Sequence, residues 1–270
     1  MPTPKKSDQA CEILWNKEIG PGYYIMGLKA IAPLTLAQAG QFVMLKPADV
    51  LTPILRRPLG VAQVLKENGA AYGISVIYRI VGQGTALMAK LKPGQMMDVL
   101  GPLGTYFVLP KEPRHIVLIG GGTGMPPMLC LARQTKDKFG DDCKITVCIG
   151  GRSKSDVLGL DEFEKIGVDL AITTDDGSLG TKGVATLALN AMRDAGKLPD
   201  GVFACGPAPM LKAVSAICLE TGTYCQISME ARMGCGIGAC LGCAVKPVKG
   251  EGYLHVCKDG PVFNAGVVEL

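Results

Sequence analysis

This sequence is missing several things. No apolar run approaches the roughly 18 residues that a membrane-spanning helix needs. No basic stripe of the kind that marks nucleic-acid binders stands out, and a net charge of +4 over 270 residues is mild, which lowers that class. The opening Met1-Pro2-Thr3-Pro4-Lys5-Lys6 leads into polar sequence and has no signal-peptide apolar core, so a cytoplasmic chain is expected. Internal repeats and low-complexity tracts are absent. Charged residues make up only 19% against 48% hydrophobic, which argues against disorder and leaves ample apolar material to bury. The length allows one large or two ordinary domains with room for a small appendage.

Cysteine, by contrast, is plentiful. Eleven is an odd number in a chain too long for a secreted disulfide scaffold, which would be short and even-numbered. Seven are dispersed: Cys11, Cys130, Cys143, Cys148, Cys205, Cys218 and Cys225. Apart from Cys205, these are expected to be small buried hydrophobes. Four others, Cys235, Cys240, Cys243 and Cys257, crowd into the C-terminal segment and need a separate account.

Residues 1–110 read as an antiparallel β-barrel. Runs at Tyr23–Ile31, Gln41–Leu45, Gly60–Leu65, Tyr72–Arg79 and Met96–Leu100 are rich in β-formers and separated by Gly, Pro and Asn, with one helical stretch at Thr85–Leu91. Leu109–Arg114, with two prolines and three charges, reads as an extended, exposed linker. In residues 111–228 the rhythm changes. Compact apolar runs at His115–Ile119, Ile145–Ile149, Asp169–Thr173, Val202–Cys205 and Tyr224–Ile227 alternate with helical patterns near Met125–Lys138, Leu160–Lys165, Gly183–Ala195 and Pro209–Thr221. That alternation predicts a doubly wound parallel α/β domain. Residues 229–270 are glycine- and cysteine-rich with little strand or helix pattern, so the segment is expected to need a staple.

The staple is legible in Cys235, Cys240, Cys243 and Cys257, spaced C-x4-C-x2-C-x13-C. The first three match the plant-type [2Fe–2S] ligand run. Four thiolates must converge on one inorganic core, so the backbone has to loop tightly. Glycines at 234, 236, 238 and 242 are expected to supply positive φ, and successive N–H groups can face the cluster's negative charge. Tetrahedral zinc is the weaker rival, because it usually takes two CxxC-like knuckles and only one such pair is present.

Two elbows fall at the carboxyl edge of the α/β sheet, where such folds bind ligands. The strand at His115 runs into Gly120-Gly121-Gly122-Thr123-Gly124 before a helix, which lets backbone amides and the helix dipole meet a pyrophosphate. The strand at Val202 ends in Cys205-Gly206-Pro207. Together they fit a dinucleotide laid across that edge. Gly151-Arg152-Ser153-Lys154 sits where a ribose or 2′-phosphate is read and leaves NAD and NADP open, while the Thr173–Gly180 loop reads equally as a solvated turn or a cofactor contact. In the barrel, Arg56-Arg57-Pro58-Leu59-Gly60 opens one strand, Ile77-Tyr78-Arg79 ends another, and Gly82-Gln83-Gly84-Thr85 starts a helix. Arginines beside a glycine-led helix start can jointly hold a diphosphate.

These elements, in this order, resemble the ferredoxin–NADP reductase superfamily. The narrower resemblance is to the electron transfer subunits of the heteromeric NAD-dependent dihydroorotate dehydrogenases. It rests on Glu230-Ala231-Arg232-Met233-Gly234-Cys235-Gly236-Ile237-Gly238-Ala239-Cys240 and on the ending Val256-Cys257-Lys258-Asp259-Gly260-Pro261-Val262-Phe263. It implies an oxidoreductase subunit with three parts: an FAD barrel, an NAD domain and a [2Fe–2S] domain. Arg57 and Arg79 would bind FAD phosphate together with Gly84 and Thr85, and Pro58, Leu59, Ile77 and Tyr78 would flank the flavin. Gly120, Gly121, Gly122, Thr123, Gly124 and Gly206 would hold NAD, with Cys205 near the nicotinamide. The family's Arg-Pro-x-Ser ends here in Gly60, so the hydroxyl usually placed near flavin N5 is missing. The resemblance further implies an FMN-containing catalytic partner, two copies of each subunit, and electrons passing from dihydroorotate by way of the cluster and FAD to NAD+ in pyrimidine biosynthesis. The alternatives are the same cofactor set in a ferredoxin- or hydrogenase-linked NAD(P)H oxidoreductase, and a flavin-free module knotted by zinc.

Overall fold

The structure is a computed structural model that describes residues 7–47 and 54–270; the reading of Met1–Lys6 falls outside them. The N-terminal unit is a closed barrel of β1 (Ser7–Gly20), β2 (Tyr23–Lys29), β3 (Phe42–Pro47), β4 (Arg57–Glu67), β5 (Ala70–Arg79) and β6 (Met96–Leu103). The strands pair antiparallel in the order β1-β2-β5-β4-β3-β6, and β6 closes on β1. Alternate residues such as Met26, Leu28, Ile74 and Val76 fill the interior, as the period-2 pattern requires.

The longest strand, β1, was not among the β-rich runs. Its sequence is mostly polar, and two bulges, between Ile13 and Trp15 and between Glu18 and Gly20, break its register. Only Cys11 and Ile13 along it are fully buried, so its alternation is too weak to read. Helix α1 (Gln83–Lys90) follows β5. Asn16 Nδ2 donates to the carbonyls of Met88 and Leu91 at 2.8 and 3.1 Å and ties the helix end to the barrel.

The second unit alternates β7 (His115–Gly121), α2 (Met125–Phe139), β8 (Lys144–Gly151), α3 (Leu160–Ile166), β9 (Asp169–Thr174), β10 (Thr181–Lys182), α4 (Leu187–Asp194), β11 (Gly201–Cys205), α5 (Ala208–Thr221) and β12 (Cys225–Ser228). The sheet order is β10-β9-β8-β7-β11-β12 with all these strands parallel. The chain winds outward one way from β7 and then restarts at β11 on its other side, which creates a switch point between them. Pro126 and Pro127 occupy the first turn of α2, where no intrahelical N–H is lost. Helix α4 starts later than the sequence pattern predicts, because Gly183–Thr186 form a turn over the end of β8.

The C-terminal segment carries three short strands that its sequence did not announce: β13 (Ala244–Val245), β14 (Leu254–His255) and β15 (Val262–Asn264). The last adds to the α/β sheet as a seventh, antiparallel strand beside β12. Thr105 clasps it from the barrel side: its N–H reaches the Gly260 carbonyl at 2.6 Å, and its hydroxyl donates to Val262 O at 2.8 Å. Phe42, Met44 and Leu103 of the barrel, Val117 and Ile227 of the sheet, and Cys243, Val256 and Cys257 of the tail share one apolar core. The stretch 109–114 forms no regular element, with Lys111 and Glu112 exposed. It is pinned at both ends, by Val108 N–H on Gln226 Oε1 and Arg114 N–H on Asp200 Oδ2.

Candidate functional site

The cysteine loop folds over the barrel rim. A Cβ at Gly236 would meet Met44 Cγ at 2.6 Å, so the loop lies directly on β3. Cys243 and Cys257 are buried, Cys235 is partly so, and Cys240 is exposed. Backbone N–H groups aim at sulfur throughout: Ile237 and Ala239 at Cys235 Sγ (3.4 and 3.3 Å), Gly238 at Cys257 Sγ (3.1 Å) and Cys257 at Cys243 Sγ (3.5 Å). Burial acts to raise the Cys235 thiol, but these donors and the adjacent Cys240 outweigh it and bring the group down to about 6. The thiolate is the form that binds iron.

The glycines divide into two roles, which corrects the sequence expectation. Gly236 and Gly238 adopt positive φ, and so does the non-glycine Leu241 at +57°. Gly234 and Gly242 are not in that region. They leave room, since a Cβ on either would stand 3.3 or 3.5 Å from Cys240 Sγ. The thiols fall into two pairs, Cys235 with Cys240 and Cys243 with Cys257, each within hydrogen-bond reach. Among the described residues no group of three or more His, Cys, Asp or Glu side chains is placed around a single ion. Burial, with Cys243 beside it, pushes the Cys257 thiol up to about 12, so a metal must displace its proton; two pairs of cysteine sulfurs fit a two-iron core better than a mononuclear zinc site.

On the barrel, Thr85 sits at the start of α1. Its hydroxyl accepts from Val81 N–H at 2.9 Å and donates to Gly82 O at 3.1 Å, which closes the turn. The Arg57 guanidinium lies flat against Gly84, where any Cβ would collide with it. A cation and the opening amides of a helix therefore meet at one spot, the arrangement that binds a diphosphate. Arg79 stacks over the Tyr23 ring at 5.1 Å. Pro58 and Leu59 lie on β4 opposite Met44 and Val43 of β3. A Cβ at Gly60 would meet Pro127 Cγ of α2 at 3.2 Å; the absence of the family serine goes with this close approach.

Ile77 and Tyr78 part company. The Tyr78 side chain is 1% exposed inside the barrel, stacks on Tyr24 and donates to Asn16 Oδ1 at 2.9 Å. Burial raises its phenol to about 12. Its side chain holds β5, β1 and α1 together, and only its backbone is left to flank a flavin. Ile77, the next residue along the strand, points the opposite way.

A cavity of about 590 Å³ opens at the switch point of the sheet. Gly121, Gly122 and Thr123 form its floor, Tyr23 and Arg79 reach it from the barrel, and Arg152, Asp156, Asp175, Val184 and Met210 complete it. Gly124 lies under this floor, where a Cβ would strike the Cys205 carbonyl, and Gly120 packs on Met125 Sδ. These two glycines shape the elbow rather than line the cavity. Gly206, with φ +156°, sits against Gly121 and Met210. Cys205 is 3% exposed and is not among the cavity-lining residues. Burial, with Glu230 adding to it, pushes its thiol up to about 12. Gly183–Thr186 and Tyr23 line the cavity although no motif marks them; the Lys182-Gly183 pair after a short strand was the only signal.

Comparison with known proteins agrees with this geometry. The family model for the iron-sulfur cluster binding domain of dihydroorotate dehydrogenase B matches residues 230–269, and that for the oxidoreductase NAD-binding domain matches residues 118–216. A dihydroorotate dehydrogenase B (NAD+) electron transfer subunit of Fusobacterium nucleatum is 38% identical over 264 residues, covering 96% of this chain and 98% of the relative. One from Bacillus velezensis is 41% identical over 258 residues, covering 94% and 96%. Among solved structures, an NADH-dependent reduced ferredoxin-NADP oxidoreductase superposes with a TM-score of 0.82 at 28% identity, covering 97% of this chain and 90% of that one.

Proposed function

The chain belongs to the family of dihydroorotate dehydrogenase B (NAD+) electron transfer subunits, and on that premise we propose that it carries electrons between an FMN-containing dihydroorotate dehydrogenase catalytic subunit and NAD, in pyrimidine biosynthesis. In this reading residues 1–110 bind FAD, 111–228 bind NAD and 229–270 hold a [2Fe–2S] cluster. The partner binds as two copies of each subunit, in the cytoplasm. No helix among the described residues is long and apolar enough to cross a membrane.

The observation that carries the reading is the shared core. The cysteine loop rests on β3 of the barrel through Gly236 and Met44, and its tail strand completes the sheet whose edge forms the cavity. Three candidate sites are thereby fixed around one body. A flavin, when bound, exchanges a hydride with a nicotinamide and single electrons with an iron–sulfur cluster, and so converts between the two. The residues supply the rest. Arg57 and the first amides of α1 neutralise a diphosphate. Gly121–Thr123 let a dinucleotide approach the backbone. Cys235, Cys240, Cys243 and Cys257 ligate iron while the loop amides offset the charge on sulfur. Tyr23 and Arg79 line the cavity on its barrel side.

Anaerobic purification tests this. Iron and acid-labile sulfide at two each per chain, with one FAD, are the expected composition of such a subunit. The isolated chain is expected to oxidise NADH with artificial acceptors and to leave dihydroorotate untouched. Zinc in place of iron in a colourless preparation, or orotate formation without a partner, would refute it.

A further inference from the structure

One part of the cavity is electrostatically contradictory in sequence. The loop after β8 carries a cation, Arg152, which alone suits a 2′-phosphate. The loop after β9 carries Asp175, which suits a ribose hydroxyl. Along the carboxyl edge, β11 and β7 bring the Cys205-Gly206-Pro207 elbow and the glycine loop, and β8 and β9 follow on the side away from β11. A dinucleotide with its pyrophosphate at Gly121–Thr123 and its nicotinamide toward β11 therefore extends its adenosine over Arg152 and Asp175, one and two strands from β7, or about 5 and 10 Å.

The structure settles which charge is available. Arg152 Nε donates to Asp156 Oδ2 at 3.0 Å. The Asp156 side chain is only 15% exposed and that of Arg152 is 74% exposed, so the carboxylate is the more enclosed member and it engages the guanidinium through Nε. Asp176, next in line, is occupied by Ser178, whose N–H and hydroxyl reach it at 2.9 and 2.6 Å. Asp175 lines the cavity. This rim has one committed cation and two carboxylates. Lys154 and Lys182 belong to the same loops but are not among the cavity-lining residues.

We propose that Asp156 biases which dinucleotide this site accepts: by pairing with Arg152 it competes for the counter-charge a 2′-phosphate needs, and Asp175 accepts hydrogen bonds from the unmodified ribose. The inference rests on the NAD reading above and names the residues that enforce it. A Lys or Arg count at this loop would give the opposite answer, because it overlooks the partner four residues on.

The test is calorimetric titration of the purified, FAD-containing chain with ADP-ribose and with 2′-phospho-ADP-ribose, which needs no turnover. The unaltered chain is expected to favour ADP-ribose. Asp156→Asn weakens the hold on Arg152 and is expected to shift the affinity ratio toward the 2′-phosphorylated ligand by about two- to fivefold, since the shift cannot exceed the worth of the exposed ion pair it breaks. Adding Arg152→Ala to Asp156→Asn is expected to abolish that shift, which separates a released arginine from simple loss of repulsion. An unmoved ratio in Asp156→Asn, or a shift that survives Arg152→Ala, overturns the proposal and leaves the NAD reading standing. Failure of the unaltered chain to bind either ligand overturns both. FAD content of each variant reports that it has folded.

Discussion

The seven-stranded sheet and the C-terminal segment that borrows its edge are built on different physics. The sheet has four helices for its seven strands and an apolar centre, with Ile149, Phe163 and Phe203 fully buried, and it rests chiefly on burial. The segment 229–270 owns three strands of two or three residues. It keeps its place through a clasp on Thr105 and a strand lent to β12, and it carries two pairs of cysteines, Cys235 with Cys240 and Cys243 with Cys257. In the first, stability is spread over many interchangeable contacts. In the second it is concentrated in a few groups that are also the functional ones, so stability and electron transfer are lost together.

The largest expected effect is therefore in the tail. Cys243→Ser removes a buried candidate ligand, and if cluster binding is also the ordering energy of the loop, iron and sulfide are expected to be lost almost completely. Electron delivery to the partner falls with them, while NADH oxidation with artificial acceptors persists. Retained iron would break the comparison at its root. Phe163→Ala in the α/β core is expected to cost about 3–5 kcal/mol in denaturant unfolding and to leave iron content per folded chain unaltered. If iron fell in step, the two regions would be one cooperative unit.

The same contrast explains what could be read in advance. Strands β7, β8 and β11 announce themselves as apolar runs because both faces are buried along most of their length, and α2 and α5 do so by length and punctuation. The cluster loop announced itself by ligand spacing alone, since chemistry fixes the order of cysteines where packing fixes little. Strand β1 was hidden by its polar exposure and two bulges. β15 was hidden because a three-residue strand has no period, only a neighbour. Tyr78 shows a related limit: a motif gives position along a strand, but the side-chain face depends on register, and here the ring turns into the barrel. The Arg152–Asp156 pair shows the limit most sharply, because a charge counted in sequence says nothing of the partner it meets in space.

A finer probe works at the join between the two regions. Thr105→Val removes the hydroxyl that accepts from Val262 N–H at 3.1 Å and donates to its carbonyl at 2.8 Å. Leaving partly buried backbone groups unpaired costs about 1–3 kcal/mol. The loss is expected to be local, read as faster amide exchange at Val262 and its neighbours with β7 and β8 unaffected. Global destabilisation would mean that the tail strand supports the sheet as much as the sheet supports the tail.

The smallest effect is expected where barrel and α/β unit meet. Gly60→Ser restores the family hydroxyl but brings a Cβ to 3.2 Å from Pro127 Cγ, tight enough that one element must shift. Overpacking of this kind costs about 1 kcal/mol at its mild end, measurable as a lower urea midpoint. If the proline ring is the obstacle, the cost should vanish when the same change is made in a Pro127→Ala background, since contacting residues couple in a double-mutant cycle. A cost that persists there would place the strain in β4 itself, and the glycine would then reflect the barrel's own backbone rather than its fit against α2.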